Sequence, residues 1–185
     1  AREVPRPFKV TFFLEVFSGS GKLASCMARH VCMVVTWDVL HGHDYDLSVK
    51  ANQHVIFGWI LAGWIVGLHL GTPCSSFSRV RDRAGGPPRL RSDDCPLGLP
   101  SLRPGDHAAV RLGNRLMYFS ARCLRLCLHK HVPATLENPR MSRIWLCGSI
   151  AAVARHQFAS FDYVDFCMFG TPWKKPTGIL ACFLD

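Results

Sequence analysis

Two short segments of the chain carry residue types that can do covalent chemistry. Cys74 follows the apolar run 65–70, and Pro73 prevents that strand from continuing, so the thiol is presented at a strand end. Glu137, in Glu137-Asn138-Pro139, follows another short apolar strand at 134–136. Taken singly, a structural cysteine and a strand-end turn are the ordinary interpretations. Because the carboxyl ends of strands in an α/β sheet are where ligands bind, the pair favours one nucleophilic site.

A glycine turn near the start of the chain indicates a cofactor site. Phe17-Ser18-Gly19-Ser20-Gly21 follows a strand and opens a helix, which leaves backbone amides free for a nucleotide-like ligand. The spacing matches a dinucleotide fingerprint, and Asp38 ends the next strand, where a ribose-binding carboxylate is expected. Val16 and Leu23 exclude a phosphate-binding NTPase loop. A tight turn without a ligand remains the alternative.

These segments require a framework of alternating strands and helices. We predict strands at 10–16, 33–37 and 65–70, separated by helices at 22–30 and 48–62, the second capped by Ser48. A long helix at 105–131, a strand at 134–136, a helix at 144–156 and strands at 161–168 and 179–184 follow. The pattern predicts an α/β fold with a doubly wound, mostly parallel sheet. The length fits one domain, 1–185.

The long helix is expected to serve packing. Five side chains fall on one face that we expect to contact the sheet: Leu112, Leu116, Phe119, Cys123 and Leu126. Four arginines form a neighbouring stripe, for which we expect a solvated face rather than a nucleic-acid track: Arg111, Arg115, Arg122 and Arg125. Cys123, Cys127 and His131 recur every four residues, but the outer two lie about 12 Å apart along a helix axis. We therefore predict no metal.

The amino-acid composition indicates which partners and which cellular compartment to expect. The 185 residues carry a formal net charge of +9, which favours a polyanionic partner such as nucleic acid. Nine cysteines with no secretory signal indicate reduced thiols inside the cell, in nucleus or cytoplasm. The uncharged stretch at 55–68 is shorter than the roughly 20 residues of a membrane span, so we expect no membrane association. The oligomeric state is not predicted.

Taken together and in order, four motifs resemble the DNA cytosine-5 methyltransferase family. They are the glycine turn at 17–21, Gly71-Thr72-Pro73-Cys74-Ser75-Ser76-Phe77-Ser78, Glu137-Asn138-Pro139 and Phe169-Gly170-Thr171-Pro172-Trp173-Lys174-Lys175. The resemblance covers about 10–185 and fits a minimal or mobile-element-encoded, truncated member. It implies a class I methyltransferase fold of Rossmann-like type that uses S-adenosylmethionine.

The resemblance also implies roles for individual residues. Phe17, Ser18, Gly19, Ser20, Gly21 and Pro73 would hold the cofactor, with Asp38 at its ribose and Asp46, after a short strand, at its adenine. Cys74 would attack C6 of a flipped cytosine in DNA, and Glu137 would bind the pyrimidine edge at N3. The substrate-binding residues would be Asn138, Ser78, Arg79, Arg81, Lys174 and Lys175.

Departures from the family leave other functions open. The segment at 79–104 is long and rich in arginine and proline, which predicts a mobile loop that closes over the target base. Trp173-Lys174-Lys175-Pro176-Thr177 stands where the family has glutamine and spaced arginines, and we expect no target-recognition domain. The first alternative is a non-catalytic nucleic-acid-binding or structural remnant of the same fold. The second is an NAD-dependent oxidoreductase, for which no hydride-transfer residues are evident.

Overall fold

Six strands form one sheet at the centre of the protein. A computed structural model describes residues 10–30 and 33–184, so positions 1–9, 31–32 and 185 of the predicted domain lie outside the described part. The strands are β1 (Phe12–Val16), β2 (Val34–Trp37), β3 (Ile65–Leu70), β4 (Ala134–Pro139), β5 (Ala159–Asp165) and β6 (Pro176–Cys182). Their order across the sheet is β2-β1-β3-β4-β6-β5. The predicted strand at 10–16 therefore begins two residues later, and the last two predicted strands end earlier.

The α/β fold is confirmed and four of the predicted strands pair in parallel, but the sheet is mixed rather than clearly doubly wound. β2, β1, β3 and β4 pair in parallel, whereas β6 pairs antiparallel with both β4 and β5. Only residues 166–175 join β5 to β6, with a single short helical turn at Phe166–Phe169. A parallel connection needs a crossover of a dozen or more residues, so this short link makes a hairpin instead.

Within the described residues, four α-helices connect the strands: α1 (Lys22–Met27), α2 (Lys50–Ala62), α3 (Pro104–Lys130) and α4 (Gly148–Ala154). α3 begins with proline at a position that needs no amide donor and ends where His131 adopts a left-handed conformation. The predicted cap of α2 is wrong, because the Ser48 hydroxyl donates to Asp46 and the helix starts at Lys50. The predicted helix at 144–156 is divided into a turn at Arg143–Leu146 and α4.

The two faces of the sheet differ in what covers them. Leu14, Leu68, Leu70 and Leu136 share one face and are fully buried beneath the group of helices in which α3 contacts α2 and α4. Glu15 lies on the opposite face, where its carboxylate accepts a hydrogen bond from the Ala24 amide in α1. That face therefore carries the short helix α1, and polar side chains near the carboxyl ends of its strands remain accessible.

Candidate functional site

The glycine turn makes a sharp reversal between β1 and α1. Phe17, Gly19 and Gly21 all have positive φ, at 58°, 51° and 64°, and the Gly21 amide donates to the Ser18 carbonyl. Glycine adopts this backbone region without strain, which explains its presence at two of the three positions. The Ser18 hydroxyl is buried and has no hydrogen-bond partner among the described residues. Buried hydroxyl groups without a hydrogen-bond partner are rare in proteins, and this one lies in the glycine turn that is predicted to bind a cofactor.

A cavity of about 490 Å³ opens beside the turn. Its walls are the end of β1, the segment after β2, the residues after β3 and the first turns of α3. Four residues predicted to bind a cofactor line it: Phe17, Asp38, Asp46 and Pro73. Ser18 and Ser20 line a different cavity, of about 880 Å³, on the α1 face of the sheet. The two cavities share Phe17 and Gly71, so they adjoin at the carboxyl edge of the sheet.

Two carboxylates in the smaller cavity are fixed by backbone amides. Asp38 accepts from the Gly19 amide at 2.9 Å and from the Leu40 amide at 3.0 Å. Asp46 accepts from the Ser48 amide at 2.7 Å and from the Ser48 hydroxyl at 2.8 Å. The hydrogen bond from the Ser48 amide is the main cause of a lowered pKa at Asp46. Ionised carboxylates only accept hydrogen bonds, so both side chains suit ligand hydroxyl and amino groups.

Several cavity residues were not expected from the sequence. The prediction placed Asp46 after a short strand, but it follows two short helical turns, Val39–His41 and His43–Tyr45. The Trp37 indole donates to the Tyr45 carbonyl at 2.9 Å, which holds this segment against the sheet and brings Tyr45 into the cavity wall. Leu112, expected to pack on the sheet, is half exposed and lines the cavity instead. Its helical spacing could not distinguish a cavity wall from a core position.

Cys74 lies in the turn that follows β3. Its carbonyl accepts from the Phe77 and Ser78 amides at 2.9 Å each, which closes the turn. The thiol is free and half-buried, and Pro73 and Ser75 on either side line the 490 Å³ cavity, although Cys74 itself is not a lining residue. Four other cysteines are buried in the core: Cys123, Cys127, Cys147 and Cys182. Burial raises the pKa of the Cys127 thiol to about 12, which makes such positions unreactive.

A buried arginine, Arg91, holds the turn that contains Cys74 in place. Arg91 is only 1% exposed, and its guanidinium donates to the Ser76 carbonyl and hydroxyl at 3.1 and 2.9 Å. It also donates to Asn114 in α3 at 2.6 Å, and it stacks 3.7 Å above the Phe77 ring. Burial lowers the pKa of Arg91 to about 10, so the group stays charged at neutral pH. Nothing in the sequence singles out Arg91 among the arginines of 79–104.

Glu137 lies in β4 with two basic neighbours. Its Oε1 atom is 2.7 Å from the Lys175 ammonium, and its Oε2 atom is 3.8 Å from Nε2 of His69 in β3. The other His69 nitrogen, Nδ1, is 2.8 Å from the Thr135 hydroxyl. Burial lowers the pKa of His69. The prediction included Glu137 and Lys175 as separate site residues, whereas His69 was seen only as part of an apolar strand.

The turn after β3 that contains Cys74, which we call the cysteine turn, is joined to the Glu137-Asn138-Pro139 segment by a hydrogen bond. Leu70, the last residue of β3, is paired with Leu136 in the parallel ladder, so the residues after Leu70 run beside the rest of β4, which continues to Pro139. The Asn138 side-chain amide donates to the Thr72 carbonyl at 2.7 Å, while its Oδ1 atom is buried and unpartnered among the described residues. Two chain segments separated by more than 60 residues in sequence are thus fixed at one edge of the sheet.

The cations predicted to bind substrate all make internal contacts. Arg79 pairs with Asp93 at 2.7 Å, and Arg81 donates to the Ser75 carbonyl at 2.9 Å. Lys174 lies 3.2 Å from Asp165. The Ser78 hydroxyl accepts from the Val80 amide at 3.2 Å. The substrate-binding roles of these residues stay predictions. The mobility of the segment at 79–104 also stays a prediction, because the contacts of Arg79, Arg81 and Arg91 attach that segment to the rest of the protein.

Two kinds of feature are absent from the described part of the chain. Within 10–30 and 33–184, no three histidine, cysteine, aspartate or glutamate side chains come together in a group able to hold a metal ion. Over the same ranges, no helix combines the length and the apolar character needed to cross a membrane.

Comparison with known proteins supports the fold. No protein-family model matches the chain, and no curated protein matches it. Among solved structures, it is similar to the methyltransferase EhMeth of Entamoeba histolytica, with a TM-score of 0.52 and 11% sequence identity. The match covers 96% of this chain and 54% of that one, so the chain spans about half the length of its structural neighbour. At this identity the likeness concerns the fold, which is a Rossmann-like fold that a methyltransferase also has.

Proposed function

We propose that the protein transfers a methyl group from S-adenosylmethionine to C5 of cytosine in DNA, through a covalent cysteine adduct. The observation that carries the proposal is the hydrogen bond from Asn138 to the Thr72 carbonyl, which fixes the cysteine turn beside Glu137. The 490 Å³ cavity, of a size that suits a cofactor, adjoins the cysteine turn, while Glu137 lines the 880 Å³ cavity that meets it at Phe17 and Gly71. The methyltransferase neighbour supports the fold in which this chemistry is proposed.

The donor set of the 490 Å³ cavity fits S-adenosylmethionine. Asp38 would accept hydrogen bonds from the ribose hydroxyls, and Asp46 would accept one from the adenine amino group, because both carboxylates offer only acceptor oxygens. Ser18 lines the adjoining 880 Å³ cavity, and its unpartnered hydroxyl would bind a polar group at the methionine end where the cofactor reaches that cavity. When bound, this cofactor supplies an electrophilic methyl group to the site.

Cys74 and Glu137 would carry the steps on the base. The Cys74 thiolate adds to C6 of cytosine, and the electron pair of the C5–C6 bond makes C5 nucleophilic enough to take a methyl group. Glu137 binds N3 and the exocyclic amine, which stabilises the charge that appears on the ring as the thiolate adds. Loss of the C5 proton then expels the thiolate. For Glu137 to reach the base, its contact with Lys175 must open, so Lys175 would control access to this carboxylate.

Covalent trapping on 5-fluorocytosine DNA tests the proposal. Fluorine at C5 prevents loss of the leaving proton, so we expect a gel-stable protein–DNA product that requires S-adenosylmethionine. Cys74→Ser should form none, because a hydroxyl is far less ionised than a thiol, while Cys95→Ser, at a half-buried free cysteine outside the site, should react normally. Glu137→Gln should react roughly 100-fold more slowly.

The same experiment separates the proposal from its main alternative. An adduct with Cys74→Ser would refute the nucleophile. If the wild-type protein binds the cofactor by calorimetry and binds DNA, yet forms no adduct, the fold acts as a non-catalytic nucleic-acid-binding remnant instead.

A further inference from the structure

β5 and its connection to β6 expose four large side chains with apolar rings or chains. Tyr163 is 55% exposed, Met168 79%, Phe169 74% and Trp173 57%. We call these four residues, with Arg140 and Lys174, the hairpin surface. Single exposed apolar residues are common, but a group this close in sequence marks an interaction site.

The hairpin surface has a defined shape. Arg140, Tyr163, Met168 and Phe169 line a recess of about 350 Å³, together with Val164 and Asp165. This volume falls at the small end of ligand pockets, at roughly 300–1,000 Å³, and suits one flat ring better than a peptide helix. Lys174 pairs with Asp165, a lining residue, at 3.2 Å, and the exposed Trp173 precedes Lys174 in the chain.

The aromatic rings are held rigidly from beneath. Trp145, Phe161 and Tyr163 form a ladder with ring centroids 4.7 and 5.2 Å apart, and the Trp145 indole donates to the Pro139 carbonyl at 3.0 Å. Arg140 lies over the outer face of Tyr163, with its guanidinium carbon 4.2 Å from the ring centroid. This partly buried ladder fixes Tyr163 and Arg140 as one wall of the recess that the exposed Phe169 ring also lines, so little side-chain freedom at that wall is lost when a ligand binds.

The net charge of the whole chain, rather than that of the recess, favours an anionic partner, because the two cations and two carboxylates around the recess balance. Asp165 is the acidic residue that lines the recess, and Lys174 neutralises it. The exposed Asp162 on β5 is the next carboxylate along that strand, and Arg140 adds a positive charge over the rings. The whole chain carries a net charge of +9. Flat apolar rings combined with cations match a ligand that offers both aromatic faces and phosphates.

The hairpin surface also connects to the site that contains Glu137. Arg140 follows Glu137 by three residues, just after the end of β4. Of the two adjacent lysines, Lys174 pairs with Asp165 in the recess and Lys175 pairs with Glu137. A polymer that lies on the hairpin surface would therefore present its next unit toward Glu137.

We propose that the hairpin surface binds an unpaired nucleic-acid strand, with bases stacked on Phe169 and Trp173 and phosphates paired with Arg140 and Lys174. The inference rests on the proposed function for its assumption that the partner is a nucleic acid, and it adds the form of that partner. In a duplex the base faces are covered by their neighbours, whereas in a single strand they can stack on aromatic side chains. An unpaired target base also avoids the unpairing cost of base flipping.

Fluorescence anisotropy with a labelled oligothymidylate of 12 nucleotides tests this inference. We expect the wild-type protein to bind it more tightly than a duplex of equal length. Phe169→Ala and Trp173→Ala should each weaken binding about tenfold, since a stacked base contributes roughly one to two decades in affinity. Trp64→Ala, at a tryptophan that is 44% exposed before β3 and outside the hairpin surface, should bind like wild type.

Salt dependence separates the two kinds of contact. Arg140→Gln and Lys174→Gln should each reduce the slope of log affinity against log salt by about 0.7, the value for a phosphate contact on a single strand. Phe169→Ala and Trp173→Ala should leave that slope unchanged. Equal melting temperatures would show that all four variants fold, as expected for exposed side chains.

Three results would overturn the inference. They are unchanged affinity in both aromatic variants, duplex binding as tight as single-strand binding, and equal binding of a polyglutamate peptide with the same sensitivity to the aromatic variants. Covalent trapping of the wild-type protein on 5-fluorocytosine DNA distinguishes this failure from failure of the proposed function. If the strand binds through the hairpin surface and no adduct forms on the fluorinated base, only the methyl-transfer proposal fails; an adduct on duplex DNA without single-strand preference would remove only the hairpin-surface proposal.

Discussion

Replacing Gly113 by alanine should destabilise the protein, although the same change elsewhere in a helix would stabilise it. Gly113 lies inside α3, where alanine is normally favoured over glycine by about 1 kcal/mol. A Cβ atom at this position would collide with the Ser76 hydroxyl and stand 2.8 Å from Nη2 of Arg91 and 3.4 Å from the Phe77 ring. All three neighbours are buried, so none can move without breaking other contacts.

The magnitude follows from these contacts. Overpacking in a filled core costs about 1–3 kcal/mol, and loss of one hydrogen bond from a charged donor costs about 1.5–3 kcal/mol. After subtracting the helix propensity gain of about 1 kcal/mol, these costs leave roughly 1.5–5 kcal/mol, and we expect a loss toward the lower end, about 2 kcal/mol, in the free energy of unfolding. The matched control is Gly58→Ala in α2, where a Cβ meets no atom within 4 Å, and which should gain about 1 kcal/mol.

Urea unfolding followed by tryptophan fluorescence measures both variants. The two should differ by about 3 kcal/mol, and in thermal scans Gly113→Ala should melt about 6 °C below wild type while Gly58→Ala melts about 3 °C above it. If Gly113→Ala is stabilised as much as Gly58→Ala, then Arg91 and Ser76 do not pack beneath the cysteine turn as described. The inference that Arg91 holds the turn around Cys74 in place would then be wrong.

Three further predictions address the cofactor turn and the charged groups. Gly19→Val should weaken S-adenosylmethionine binding in calorimetry, because valine resists the positive φ of 51°, whereas Gly85→Val, at φ 72° in the 79–104 segment, should leave the affinity unchanged; equal affinity in both variants would remove the turn from the cofactor site. The hydrogen bond from Arg143 lowers the pKa of Asp82, so wild-type stability should fall as the pH drops below about 4 and the carboxylate protonates, and urea midpoints of Arg143→Met should lack that contribution. Burial lowers the pKa of His69, so the unfolded chain takes up this proton first and stability should decline as the pH drops below about 6.5; a midpoint in His69→Gln that keeps the same decline would contradict this.

The sequence predicted the elements that depend on local pattern. The long helix was expected at 105–131 and runs from Pro104 to Lys130, because proline and a strong apolar stripe mark its start and its buried face. The strand at 65–70 was placed without error, since an apolar run between Gly63 and Gly71 has clear limits. The start of α2 was missed because Ser48, a good capping residue, instead donates its hydroxyl to Asp46 across the preceding turn.

The sequence by itself determined which motifs follow which strands, because apolar runs and the glycine and proline residues that end them act over only a few residues. It could therefore place Cys74 after a strand and a glycine turn after β1, but it ended the strand before Glu137, whereas β4 continues to Pro139 because these residues pair with β6. Strand direction and order were decided only by the tertiary structure, in which a short hairpin turned β6 antiparallel beside β4. Contacts between residues distant in sequence also needed that order: Asn138 on the Thr72 carbonyl, Lys175 on Glu137, and Arg91 beneath the cysteine turn. Each joins side chains whose separation along the chain gives no local signal, so their pairing is a property of the folded sheet.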